Sequence, residues 1–153
     1  MKSITTQIEI NAPASEVWAA LINFQDYPQW NPFLIGVEGL AEEGQILTCT
    51  IQSNPKRTMV FKPIVLRAEP KKEFRWRGKL FVNGLFDGEH FFKLEERDTD
   101  TTVLVHGEKF TGLMAGVLFS MIEADTRQGF EAMNEKLKHK VEAAGKEVMH
   151  EVQ

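Results

Sequence analysis

Cysteine is nearly absent from this chain: Cys49 stands alone among 153 residues. A single thiol excludes an internal disulfide and suits a reducing compartment. No apolar run reaches the ~20 residues a helix needs to cross a bilayer. No charged-then-apolar leader opens the sequence, and a strand pattern begins within a few residues of Met1. A dense Lys/Arg stripe is also missing, and the net charge is -4. Nucleic acid is therefore not an expected partner. No HExxH spacing occurs, and the histidines and glutamate that could join a metal fall on one hairpin, so a metal is not expected. No other cofactor is expected either. Repeats, low-complexity stretches and linkers are absent too. These gaps leave one domain, residues 1–153, long enough for a real core. It is expected to be cytoplasmic, without integral membrane association, and a monomer or homodimer.

Against that background, the order of periodicities is informative. Ile4, Thr6, Ile8 and Ile10 alternate with polar residues, which reads as a half-buried strand. The next stretch, NAPASEVWAALINFQDYPQWNPF, carries two helical pieces. Asn11 is placed to cap the first, with Pro13 in its opening turn and Glu16 suited to the helix dipole. Val17, Trp18, Leu21 and Ile22 form its apolar stripe. Pro28 and Pro32 bracket a second short helix carrying Tyr27, Trp30 and Phe33, and prolines so placed predict a kink.

From Leu34 the period drops to two. Strands are expected near 34–40, 44–53, 58–69, 72–81, 84–96 and 101–111, separated by Glu-Glu-Gly, Ser-Asn-Pro, Glu-Pro and Asp-rich turn signals. Short turns between neighbours make an antiparallel meander. From about Leu113 the period returns to 3.6. Leu118, Ile122, Phe130, Met133, Leu137 and Val141 trace one apolar face of a helix over 113–147, followed by a fraying tail.

The segments PASEVWAALINFQDYPQWNPF, FRWRGKL, GLFDGEHFFKLEE, TTVLVHGEKFTGLM and GFEAMNEKLK resemble the START/Bet v1-like (SRPBCC) superfamily, in its polyketide cyclase/dehydrase-like branch. The resemblance spans nearly the whole chain. It implies an α+β helix-grip fold: a curved seven-stranded antiparallel sheet around a long C-terminal helix, with two short helices after the first strand. It implies a cavity between sheet and helix that takes hydrophobic ligands such as lipids, polyketides or isoprenoid-like molecules. The branch supplies no universal catalytic motif, so a site has to be argued from the residues themselves.

Alternation sorts each strand into two faces. Phe74, Trp76, Gly78 and Leu80 are expected to point inward, as are Phe86, Gly88, His90, Phe92 and Leu94. On the last strand, hydrophobicity alone does not decide. The order around GEKFTG favours Leu104, His106, Glu108 and Phe110 inward. Pairing Glu96 with Thr102 across the hairpin sets His90 opposite Glu108 and Phe92 opposite His106. A slip of two would pair His90 with His106 instead.

The expected site is thus an apolar wall with a polar cluster. Trp30, Phe33, Phe74, Trp76, Leu80, Phe86, Phe92, Phe110 and Met133 would supply apolar surface, at roughly 25 cal/mol per Å² removed from water. Trp30 and Phe33 read equally as a seal at the end of the barrel. His90, His106 and Glu108 would orient a ligand hydroxyl or carbonyl, act as general acid and base, or be a satisfied structural network. Gly129, inside the long helix, reads as clearance for a ligand or for a neighbouring side chain. The leading function is binding of a small hydrophobic molecule. The alternatives are a cyclase or dehydratase using His90, His106 and Glu108, and an interaction domain resembling the Hsp90-activator type. The last would use Phe91, Val103 and Val105 as an exposed patch.

Overall fold

The computed structural model describes residues 1–80 and 84–152. The expected α+β helix-grip architecture is what it shows, with eight strands among the described residues rather than seven. Strand β1 is Lys2–Ile10, followed by α1 (Ala14–Ile22), a 3-10 turn over Phe24–Asp26 and α2 (Tyr27–Trp30). Then come β2 (Leu34–Glu38), β3 (Thr48–Asn54), β4 (Arg57–Phe61), β5 (Ile64–Glu69), β6 (Glu73–Leu80), β7 (Phe86–Asp98) and β8 (Thr101–Thr111). Helix α3 runs over Ala115–Val152, past the expected end at 147.

The extra strand comes from Pro63. A single strand over 58–69 is interrupted there because proline offers no ladder N–H and fixes its own φ. The ladders consequently form two groups, β1-β8-β7-β6-β5 and β2-β3-β4. The loop before β3 stitches them together. Ile46 bridges Ile64, Leu47 N–H donates to the Pro63 carbonyl, and Val65 N–H donates to the Gln45 carbonyl.

Two local readings change. Asn11 does not cap α1: Pro13 occupies the N-cap position, and the Asn11 N–H donates to Glu142 Oε1 at 2.9 Å, tying the start of α1 to α3. Pro28 lies within α2, in its first turn, where a missing N–H breaks no helical bond. Phe33 falls beyond that helix. It is held by Asn31, whose Oδ1 accepts from the N–H groups of Phe33 and Leu34.

Helix α3 lies across the sheet with Phe130, Met133, Leu137 and Val141 buried. The expected hairpin register holds: His90 faces Glu108, Phe92 faces His106 and Glu96 faces Thr102. One row of paired residues therefore crosses four strands as Ile4, Glu108, His90 and Trp76.

Bulk along the β6–β7 pair drops at one place. Phe74 opposes Phe92, Trp76 opposes His90, and Gly78 opposes Gly88. One end of the interior is thereby filled with rings. Phe74 lies in tilted or edge contact with Trp18, Phe24, Trp76 and Phe92 at 5.5–6.5 Å. The other end has no side chain on two facing positions.

The outer face corrects the interaction-patch reading. Phe91 is only 5% exposed and Val103 only 3%, with Val105 half-buried. Phe91 packs over Gly107, where a Cβ would stand 2.6 Å from its ring. Arg75 and Lys93 cover it from above at 4.9 and 5.4 Å. These residues form no apolar patch.

Candidate functional site

A cavity of about 220 Å³ opens where the Gly78–Gly88 pair leaves the sheet bare. Phe33, Ile51, Met59 and Phe61 form one side, and Phe86, Phe110 and Glu108 the floor. The first turns of α3 close it with Met121, Ile122, Asp125 and Thr126. Asn54, Arg57 and Lys79 also line it. Its volume is a little under the ~300–1,000 Å³ usual for drug-sized ligands, which fits a molecule of one or two rings.

The expected wall residues divide. Phe33, Phe86, Phe110 and Glu108 line the cavity, whereas Trp30, Phe74, Trp76, Phe92, Met133, His90 and His106 do not. Phe74, Trp76 and Phe92 point inward as expected, but they are packed core, each at most 1% exposed. The Leu80 side chain lies outside the described residues. Gly129 provides clearance for Phe33, not for a ligand: a Cβ there would sit 2.3 Å from the Phe33 ring. That ring in turn packs edge-on against Phe130 at 5.3 Å.

The polar cluster is a linear chain running inward from the cavity floor. Glu108 Oε1 lies 3.6 Å from His90 Nδ1. His90 Nε2 is 2.8 Å from His106 Nε2. His106 Nδ1 is 2.8 Å from Asn134 Oδ1, and Asn134 Nδ2 is 2.9 Å from Thr6 Oγ1. The Thr6 hydroxyl donates to the His106 carbonyl at 2.8 Å. His90 therefore bonds diagonally to His106 without any slip of register, because both rings lean along their strands.

Aromatic rings enclose this chain. Trp76 stacks on His90 at 4.8 Å, and Phe92 and Phe130 sandwich His106 at 4.3 Å each. Burial disfavours charge, so it pushes His90 down to about 3. Burial, reinforced by His90, holds His106 well below the usual imidazole range. Both rings are neutral at pH 7. Burial likewise pushes the Glu108 carboxyl up to about 8. Its side chain keeps 17% exposure on the cavity side, and the neutral His90 ring lies 3.6 Å from its Oε1. The carboxyl lies across Gly88, where a Cβ would approach Oε1 to 2.7 Å.

Asn134 and Thr6 complete the chain, and sequence reading overlooked both. A signal was present: Asn134 sits beside Met133 on the buried face of α3, and a polar side chain there needs a partner. Cys49 is fully buried with its thiol pushed up to about 12, which makes it core and not a nucleophile.

A curved antiparallel sheet gripping a long helix, with a ligand-sized hollow at one end, defines the START/Bet v1 class of fold. Within that class, residues 1–142 match the family described as polyketide cyclase/dehydrase and lipid transport, and the chain belongs to it. Solved structures share the fold at low identity. The Zhui aromatase/cyclase of a Streptomyces species superposes with a TM-score of 0.75 at 18% identity, over 92% of this chain and 93% of its own. A START superfamily protein from Mycobacterium smegmatis gives 0.71 at 19%, over 93% and 98%. Norcoclaurine synthase from Thalictrum flavum, solved with dopamine and hydroxybenzaldehyde, gives 0.69 at 14%, over 92% and 86%. No curated protein sequence matches the chain. No helix among the described residues is long and apolar enough to cross a membrane.

Proposed function

We propose that this protein binds a small hydrophobic molecule in the cavity between the Gly78–Gly88 pair and the first turns of α3. One observation carries the reading. Six of the lining side chains that form its sides and floor are Phe33, Ile51, Met59, Phe61, Phe86 and Phe110, with the Glu108 carboxyl among them. Asn54, Arg57, Lys79, Asp125 and Thr126 are the other polar side chains of the lining. Apolar walls supply affinity and a few polar groups supply orientation, the usual division of labour in a ligand site. The family description, which joins cyclases with lipid transport, supports the same chemistry. The ligand-contacting residues in this reading are Phe33, Phe86, Glu108 and Phe110, with Ile51, Met59, Phe61, Met121 and Ile122.

Titration with naphthalene, followed by the probe's own fluorescence, tests the reading. Saturable binding is expected, and Ile122→Trp, which fills the hollow, should abolish it. Equal binding by the wild type and Ile122→Trp would place any ligand elsewhere. Native mass spectrometry of the freshly purified protein would identify a retained ligand directly.

A second reading is an acid–base enzyme acting on a cyclic or polyketide-like substrate. It is favoured by the Glu108 carboxyl, whose value of about 8 lies near physiological pH, where proton transfer is most effective. Glu108 would be the group that meets substrate. His90 and His106 would act through it, since neither lines the cavity.

A further inference from the structure

The direction of every hydrogen bond in the buried chain follows from its inner end. The Thr6 hydroxyl donates to the His106 carbonyl, which can only accept. Its one proton is thereby committed, so Asn134 must turn its NH2 group toward Thr6 Oγ1. Asn134 Oδ1 then faces His106 Nδ1, which must carry a hydrogen. A neutral imidazole has one N–H, so His106 Nε2 is a lone pair. His90 Nε2, 2.8 Å away, must donate to it. His90 Nδ1 is consequently a lone pair aimed at Glu108 Oε1.

Resting on the hydrophobic-ligand reading above, we propose that this chain makes Glu108 an acceptor-only group toward the cavity, selecting apolar ligands that carry a hydroxyl. The acidic proton turns to the lone pair of His90 Nδ1. Closing the 3.6 Å gap to a hydrogen bond takes a shift of under about 1 Å. The other carboxyl oxygen is left facing the ligand with lone pairs only. A phenol or alcohol donates to it. At Glu108 a ketone or ether sets oxygen against oxygen and gains no hydrogen bond there. Loss of the proton from Glu108 does not reverse this preference, because a carboxylate also only accepts. His90 is thus a positioning residue, and Glu108 sets specificity.

Four probes of matched shape test the proposal: naphthalene, naphthol, naphthyl methyl ether and naphthyl methyl ketone. Naphthol is expected to bind about tenfold more tightly than the ether or the ketone, the scale of one buried hydrogen bond. Glu108→Gln should keep this ranking. Its amide N–H2 takes the place of the acid proton against His90, and its carbonyl faces the ligand. His90→Phe should erase the ranking, because the Glu108 proton is then free to turn to the ketone. Circular dichroism confirms that each variant is folded. Ketone binding equal to naphthol in the wild type, or a ranking lost in folded Glu108→Gln, would overturn the proposal while leaving hydrophobic binding intact. Failure of naphthalene and all its derivatives to bind would overturn both readings together.

Discussion

The two ends of the interior are built from the same alternating strands yet finish in opposite states. Toward α1 and α2, Phe74, Trp76 and Phe92 meet Trp18, Phe24 and Tyr27 in a closed aromatic core. Toward the start of α3, the same strands present Gly78 and Gly88, and the space stays open. Inward-facing position is therefore not the same as ligand contact. Side-chain volume at paired positions decides which inward residues are core and which are wall. The buried Glu108–His90–His106 chain runs from one region to the other, so it belongs to both.

The largest expected contrast is in stability. Phe92→Ala removes a fully buried ring from the packed end and should cost about 3–5 kcal/mol. Phe110→Ala only enlarges a void that already exists, so its cost should fall toward the lower end of that range while naphthalene affinity drops sharply. Urea unfolding of the two variants makes the comparison. Equal costs, with binding equally affected, would erase the distinction between core and wall.

A middle-sized effect concerns pH. Folding raises the Glu108 carboxyl from 4.5 to about 8, so between those values the folded state holds a proton the unfolded chain has released. Its contribution therefore declines as pH rises through that window and levels off above it. His90 works in the opposite sense. Lowered from 6.5 to about 3, it makes stability fall as pH drops through that lower window, because only the unfolded chain takes up the proton. Glu108→Gln should flatten the alkaline decline and leave the acid one. Urea midpoints measured across both windows give the answer. An unchanged alkaline limb in the variant would mean that the cavity end hydrates Glu108 well enough to keep it charged.

The smallest effect should be optical. Trp76 faces inward but stacks on His90 in the closed end and does not line the cavity. Ligand binding should change its emission little, and the change should be the same in Trp76→Phe as in the wild type. A ligand-dependent signal lost in that variant would place the ligand in the aromatic end after all.

Much of this molecule was legible before any coordinates. The alternation of β7 and β8, with Glu96 paired to Thr102 across the turn, set His90 opposite Glu108 because hairpin register follows from turn length. The structure tightens that turn to Asp98–Thr101 through a bulge after Glu96 without moving the pair. The diagonal reach from His90 to His106 was not legible, since it depends on how two rings lean. Phe91 was misread as exposed because alternation assigns a face and not its covering. Gly107 beneath the ring and Arg75 above it bury that side chain.

The sequence by itself determined the order of helices and strands, the buried face of α3 and the inward phase of β6 and β7. Its resemblance to the START/Bet v1 superfamily supplied the helix-grip fold and the phase of β8. Periodicity is a local property, and a one-residue error would turn a whole strand inside out. Only the tertiary structure decided that Phe33 fills the space over Gly129 and that Asn134 and Thr6 anchor the histidines. It also decided that the hollow lies at the Gly78–Gly88 end. Each of these depends on which volumes meet across elements far apart in the chain, and close packing is settled only where those elements touch.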